Sequence, residues 1–455
     1  MRVLLLSINR LRFPYPVYPI GLDYVAAALA PAHEVRLLDL CPLEDGEVGP
    51  AIDSAVREFQ PGAVGISIRN IDNLDRVRLQ PFVSEMRAVV DRVRAATSAP
   101  VVLGGAGYTL YAAELLDALG ADHGVVGEGE RARALFDALE ADSGAAHLPG
   151  VASRGAPAPP PAMGPPGTSP LRASPAVNPA LGWYLRKGGI LGVQTQRGCA
   201  FRCSYCTYPA IEGGTLRTFE PAGVAAEARR LEELGAKFLC ITDGVFNGDP
   251  GHALAVAEAF RRTGLSLPWG AFFAPLRPPP GFYEAMARAG CTHVEFGTES
   301  LSDAMLPRLR KPFRRAHVLE AHAAARAAGL NLAHFLLLGG PGETPGTVDE
   351  TLDAAEALSG AALFFFCGIR IHAGTEMEAL ARSTGQIATG QSLLEPVFYE
   401  PTAISLAAIA ERVARRGAGR PEWITGSGAD AAAALVARLH ARGEAGPLWE
   451  KLVLA

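Results

Sequence analysis

Three of the seven cysteines stand together as Cys199, Cys203 and Cys206, in the run C-A-F-R-C-S-Y-C directly after a glycine and a β-like segment. That spacing puts three thiols on one tight loop. Three thiolates so placed can each take one iron of a [4Fe-4S] cubane and leave the fourth iron without a protein ligand. An iron with open positions is a place where a small molecule can be chelated and transformed. A structural zinc site needs further ligands to complete its tetrahedron, and Cys240, Cys291 and Cys367 are single cysteines on separate predicted strands. The spread of seven cysteines, an odd number, also speaks against a disulfide framework.

A reactive loop needs elements that aim it. Strand-like runs alternate with helical stretches from GILGVQTQRGC (189–199) through KFLCITD (237–243), LPWGAFF (267–273), THVEFGTES (292–300), NLAHFLLLGG (331–340) and ALFFFCGIRI (362–371). Six such units over residues 189–380 predict a partial (β/α)6 barrel, in which chemistry sits at the carboxyl ends of the strands. Residues 1–150 show the same rhythm in VLLLSI, EVRLLDL, AVGISI, PVVLGG and HGVVGEGE, with helices near 21–30 and 75–96. They predict a doubly wound parallel sheet of flavodoxin-like type, making the whole chain an α/β protein. Between the two, residues 151–188 are expected to form a Pro/Ala/Gly-rich linker. Residues 381–455 are read as a mostly helical region covering the barrel mouth.

The C-x3-C-x2-C spacing at a strand end, with Tyr205 before the last cysteine, resembles the motif of the radical S-adenosylmethionine (SAM) superfamily. The resemblance runs from about Gly189 to His372. It implies that the open iron chelates the amino and carboxylate groups of SAM, and that the reduced cluster cleaves SAM to a 5'-deoxyadenosyl radical. It also implies SAM contacts at Asp243, although Thr242-Asp243-Gly244 departs from the usual Gly-Gly-Glu, and at Glu299 and Ser300 in FGTES. Gly340 in LLGGPGET and the segment RIHAGTEME resemble further shared loops. Taken alone, an Asp or Glu after a strand is a helix cap more often than a ligand, and a Gly-Gly-Pro-Gly run is an ordinary turn.

The pattern VVLGGAGYT…GADHGVVGEGE resembles the cobalamin-binding domain that precedes many radical SAM domains. The resemblance implies that Ser67, Arg69 and Asn70 face the corrin, that Gly104 and Gly105 line the groove for the nucleotide tail, and that Gly127 and Glu128 close the domain. No D-x-H-x-x-G motif is present, so cobalt is expected to lack a histidine ligand. Arg69 is then either a residue beneath the cobalt that makes no bond to it or a surface arginine. Nothing matches a dinucleotide fingerprint.

The remaining titratable residues divide on less. His334 and His372 lie on or beside barrel strands, where substrate acid-base work would occur; the other histidines are read as satisfied or solvated. Arg308, Arg310 and Lys311 form a basic run that is ordinarily a solvated face, with holding a carboxylate as the alternative. Against 42 basic residues stand 47 acidic ones, a net charge of -5, which gives no reason to expect nucleic acid or an anionic membrane surface. No apolar run reaches the roughly 18 to 20 residues of a membrane span, and the N-terminus lacks a signal-peptide pattern; the expectation is a cytoplasmic enzyme.

Both resemblances together imply a cobalamin-dependent radical SAM methyltransferase acting on a carbon, or a phosphinate phosphorus, of a small molecule or peptide. One SAM would methylate cob(I)alamin; a second would generate the radical that removes a substrate hydrogen before the methyl group is taken from methylcobalamin. A flavodoxin or ferredoxin would supply electrons. Three alternatives stay open: a radical rearrangement or cyclisation with the same cofactors, polar methyl transfer to an aromatic carbon, and a non-catalytic cobalamin sensor or carrier, against which the intact cysteine loop argues.

Overall fold

In the computed structural model, residues 1–12, 14–145, 147–156, 172, 177–425 and 428–453 are described. The first sheet runs in the order β2-β1-β3-β4-β5-β6, from β1 (Arg2–Ser7), β2 (Glu34–Asp39), β3 (Ala63–Ser67), β4 (Val101–Gly104), β5 (His123–Val125) and β6 (Val151–Ser153). Its first five strands are parallel and β6 is antiparallel to β5. The order reverses between β1 and β3, so a crevice opens beyond their carboxyl ends, where the loops after Ser7 and Ser67 diverge. Helices cover both faces because the strands are apolar on both sides: Val3, Leu4, Leu5 and Leu6 are all buried.

The second sheet has seven strands, ordered β15-β14-β13-β12-β11-β10-β7. These are β7 (Ile190–Val193), β10 (Phe238–Ile241), β11 (Trp269–Phe273), β12 (Cys291–Glu299), β13 (Asn331–Leu338), β14 (Ala361–Cys367) and β15 (Trp423–Thr425), every neighbouring pair parallel. The helices between them start on side-chain caps: Asp249 accepts from the Gly251 and His252 amides, Thr344 from Thr347, Ser405 from Ala408. A short antiparallel ribbon, β8 (Gln196–Arg197) with β9 (Arg217–Thr218), sits at the mouth and carries the cysteine loop between its strands.

Four expectations need correction. The barrel has a seventh strand, β15, from the region read as helical, and it completes the sheet beside β14. That region also closes the opposite end of the barrel from the mouth: Trp449 donates to Glu295 (3.1 Å), Glu450 meets His293 (3.1 Å), and Gly446 donates to the Gly188 carbonyl (3.0 Å). The helix read near 75–96 begins only at Val83. Before it, Asp72, Asn73 and Asp75 accept backbone N–H bonds from Leu74, Asp75, Val77 and Arg78, and these local turns compete successfully with helix. The linker is shorter than 151–188, since Val151–Ser153 is a strand and Leu181–Arg186 a helix whose Tyr184 is buried and donates to Asp39 (2.8 Å). Most of the Pro-rich stretch lies outside the described residues.

The two sheets are joined by buried contacts. Arg370 pairs with Asp72 (3.0 Å), Arg172 with Asp23 (2.9 Å), and Arg217 with Glu128 (2.5 Å). Ile369, Ile371 and Met377 from the barrel side share a core with Ile68, Tyr108 and Tyr111. Among the described residues no helix is long and apolar enough to cross a membrane.

Candidate active site

The cysteine loop is held at several points. Gly198 has φ +82° and a Cβ there would stand 2.1 Å from the Thr215 carbonyl, so only glycine lets the chain pass. The Cys199 amide donates to Gly213, the Cys206 amide to Cys203, and the Tyr208 amide to the Cys206 sulfur (3.5 Å). All three cysteines are free. Burial raises each thiol, that of Cys206 to about 11, so a metal must displace the protons to bind. Among the described residues, no group of three or more His, Cys, Asp or Glu is gathered to hold a single metal ion. A loop of separate thiolates suits a cubane, in which each meets a different iron.

Beside the loop lies a charge network that the sequence reading only half saw. Lys311 is buried; its ammonium stands 3.0 Å from Glu299, 3.4 Å from the Tyr205 hydroxyl and 3.6 Å from the Cys203 sulfur. Against the pull of burial, Glu299 holds Lys311 above its usual range. The basic run is thus split. Lys311 holds a carboxylate, Arg310 pairs with Glu376, and Arg308 donates to the Gly342 carbonyl. Tyr205 donates to Glu299. Glu299 itself has φ +55° and follows a register shift in β12, which turns its side chain toward the cysteine loop. Its second oxygen is buried without a partner. An unsatisfied acceptor beside three thiols fits a ligand carrying hydroxyl or ammonium donors, as SAM does.

The other expected SAM contacts are engaged elsewhere. Asp243 accepts from the Thr195 amide (2.8 Å), the Thr195 hydroxyl (2.5 Å) and the Gln196 amide (3.3 Å), and burial pushes its carboxyl up to about 7. It braces the strand end that delivers the cysteines. Ser300 is buried against the Thr351 hydroxyl and accepts from the Ser302 amide. Gly340 gives room for Leu309, Ile369 and Met305, each within 3.3 Å of where its Cβ would be. His334 is wedged between Thr298 (2.8 Å) and His322 (3.1 Å), and burial drives it well below its usual range. His372 lies 3.0 Å from the Tyr111 hydroxyl and burial lowers it to about 4. Burial leaves both imidazoles neutral, and each is engaged by neighbouring side chains, His334 by Thr298 and His322 and His372 by Tyr111.

On the first domain, Gly105 has φ +103° and a Cβ there would meet the Ile68 carbonyl at 2.5 Å. Together with Gly107, which abuts the Arg69 carbonyl, it lets the turn after β4 press against the loop after β3. Gly104 ends β4 beside Ser67. Ser67 and Asn70 are half-buried at the crevice. Arg69 is exposed on the loop after β3, and desolvation by the surrounding protein lowers its guanidinium. An open crevice between two diverging loops, floored by close-packed glycines, fits a large planar ligand. Gly127 donates to Thr109, and Glu128 is held by Arg197 and Arg217, so this segment locks the domains together.

Comparison with known proteins agrees with this division. Residues 6–136 match the B12 binding domain and residues 193–355 the radical SAM superfamily. A flavodoxin-like cobalamin domain feeding such a barrel defines the class: the chain belongs to the cobalamin-dependent radical SAM enzymes, which use a [4Fe-4S] cluster, SAM and cobalamin. Within that class it is a methyltransferase. The tryptophan 2-C-methyltransferase of Streptomyces laurentii is 27% identical over 432 residues, covering 78% of this chain and 70% of the relative. The cytidylyl-2-hydroxyethylphosphonate methyltransferase of Streptomyces wedmorensis is 27% identical, covering 83% and 80%. The solved radical SAM methyltransferase TsrM from Kitasatospora setae, with tryptophan substrate and the SAM analog aza-SAM bound, superposes with a TM-score of 0.77 at 28% identity, covering 84% and 76%. The cobalamin-dependent radical enzyme OxsB shares the fold with a TM-score of 0.74 at 13% identity, covering 100% of this chain and 70% of that one.

Proposed function

We propose that this methyltransferase transfers a methyl group to a carbon of a small aromatic molecule held inside the barrel. The observation that carries the reading is the inward face of the sheet. Phe272 and Phe366 are 41% and 47% exposed although both lie within barrel strands, while their neighbours Phe273 and Phe365 are buried against the helices. Strand alternation therefore points Phe272 and Phe366 into the barrel. Phe335 stacks on Phe364 at 4.9 Å and on Phe366 at 6.2 Å, and Phe272 adjoins it at 5.9 Å. Such rings favour a flat partner. In register beside them lie Ala333, Ala362 and Gly297, and strands β11 to β14 themselves carry no Lys or Arg to hold a phosphonate. This favours an aromatic carbon over phosphorus, in keeping with the tryptophan named for two of the relatives.

In this reading Cys199, Cys203 and Cys206 would ligate the cluster, the free oxygen of Glu299 would take a donor of SAM, and Arg69 would line the cobalamin crevice. When bound, cobalamin carries a methyl group from SAM to the substrate carbon, and the cluster manages electrons and SAM. The protein's own share is alignment and exclusion of water. Lys311 and Tyr205 fix Glu299, Asp243 braces the strand behind the loop, and the phenylalanines keep the substrate dry. A flavodoxin or ferredoxin is the proposed electron source.

Anaerobic reconstitution with iron, sulfide and cobalamin, followed by product analysis with aromatic substrates, tests the proposal. S-adenosylhomocysteine without 5'-deoxyadenosine indicates polar transfer to the ring. Both products in step indicate hydrogen abstraction. Deoxyadenosine alone, with no methylated product, overturns methylation.

A further inference from the structure

Deep in the barrel, below the phenylalanines, stands one carboxylate that the machinery described so far does not use. Glu295 faces inward on β12, in register with Phe272 on one side and Ala333 on the other. One oxygen accepts from the Trp449 indole N–H (3.1 Å); no cation lies within ion-pair distance among the described residues. The indole packs with Ala333, Ala362, Phe335 and Phe364 and forms the floor of the chamber. The groups facing Glu295 from other elements are Tyr15 and Cys240, with Arg69 beyond Tyr15, and burial pushes its carboxyl up to about 7. Above it, a Cβ at Gly297 would touch the Glu299 carboxylate at 3.5 Å, so the same face of β12 leads from Glu295 to the residue beside the cysteine loop.

A lone carboxylate beside a wall of aromatic side chains is the chemistry that recognises an ammonium group. The charge pairs with the carboxylate, and the ring faces add cation–π attraction. The chamber thus has an aromatic wall for a flat ring and a single anionic anchor at its floor. We infer that Glu295 is the specificity-determining residue that binds the protonated amine of an aromatic amine substrate and so sets which ring carbon faces the methyl donor. The inference rests on reading the barrel interior as the substrate chamber.

The test uses the full chain reconstituted with cluster and cobalamin, and titrates tryptamine and phenethylamine against 3-propylindole and propylbenzene, in which a methyl replaces the ammonium. Wild type is expected to bind at least one amine tighter than its neutral partner by roughly tenfold or more. Glu295→Gln keeps an acceptor for Trp449 and is expected to abolish that preference without lowering affinity for the neutral ligand; Glu295→Asp is expected to restore part of it. An amine preference that survives in Glu295→Gln overturns the assignment, as does failure of wild type to bind either amine at millimolar concentration. Cobalamin and cluster absorbance, measured on the same samples, report the broader reading independently: a chain that loads both and shows no amine preference loses only the anchor.

Discussion

At the residue scale the most informative side chain is Lys311. Its charge serves Glu299, Tyr205 and the Cys203 thiol at once. Lys311→Met leaves the largely buried Glu299 carboxylate with its Tyr205 hydrogen bond but no counter-charge; removing one partner of a fully buried ion pair costs about 3–5 kcal/mol, and a loss of that size or smaller is expected in a denaturant titration of the apoprotein. In the reconstituted enzyme the loss of a positive charge beside a thiolate is expected to make the cluster potential more negative, read by a redox titration followed by EPR. Asp243 gives a second prediction. Asp243→Ala strands the Thr195 and Gln196 amides, each unmet buried donor costing about 1–3 kcal/mol, and lowers iron per chain after reconstitution. In the sequence Asp243, Ser300 and Glu299 looked alike, as polar residues at strand ends. Only Glu299 keeps a free buried oxygen, because a register shift and a left-handed backbone turn it toward the loop. No motif carries that information.

At the scale of elements, both cofactor loops depend on glycines that let one backbone touch another. Ala at position 105 would suffer about 1–3 kcal/mol of backbone strain in a conformation open essentially to glycine alone and would also drive its Cβ into the Ile68 carbonyl, 2.5 Å away. Gly105→Ala is therefore expected to displace the Ile68–Arg69 turn and weaken cobalamin binding while cluster content is kept, measured by cobalamin titration and iron assay on one preparation. The strands were legible because period-2 and continuous apolar runs are local signals. The helix start at Val83 was not, since the Asx turns at Asp72, Asn73 and Asp75 depend on which way short side chains fold back.

At the scale of the whole molecule, the chamber is assembled from parts far apart in the chain, and its floor comes from near the C-terminus. Keeping Glu295 there has a pH signature. Its folded pKa, about 7, lies above the ordinary carboxyl value of 4.5. Its protonated form is thus favoured by folding, and that stability is full below about pH 4.5 and is lost as pH rises through 7. Glu295→Gln is expected to raise the melting temperature relative to wild type at pH 8 and to leave it nearly unchanged at pH 4.5, as measured by differential scanning fluorimetry at both values.

The sequence by itself determined the α/β class, the two βα-patterned units and the cysteine loop, because these follow from local periodicity and from ligand spacing within eight residues, while the cofactors of the two units were legible only through resemblance to known families. The tertiary structure decided which strand-end groups remain free. It closed Asp243, Ser300, His334 and His372 into internal hydrogen bonds, brought Lys311 to Cys203 across more than a hundred residues, and set Trp449 beneath Glu295. Those outcomes depend on distances between distant segments, which only the packing of the two sheets and the C-terminal closure supplies.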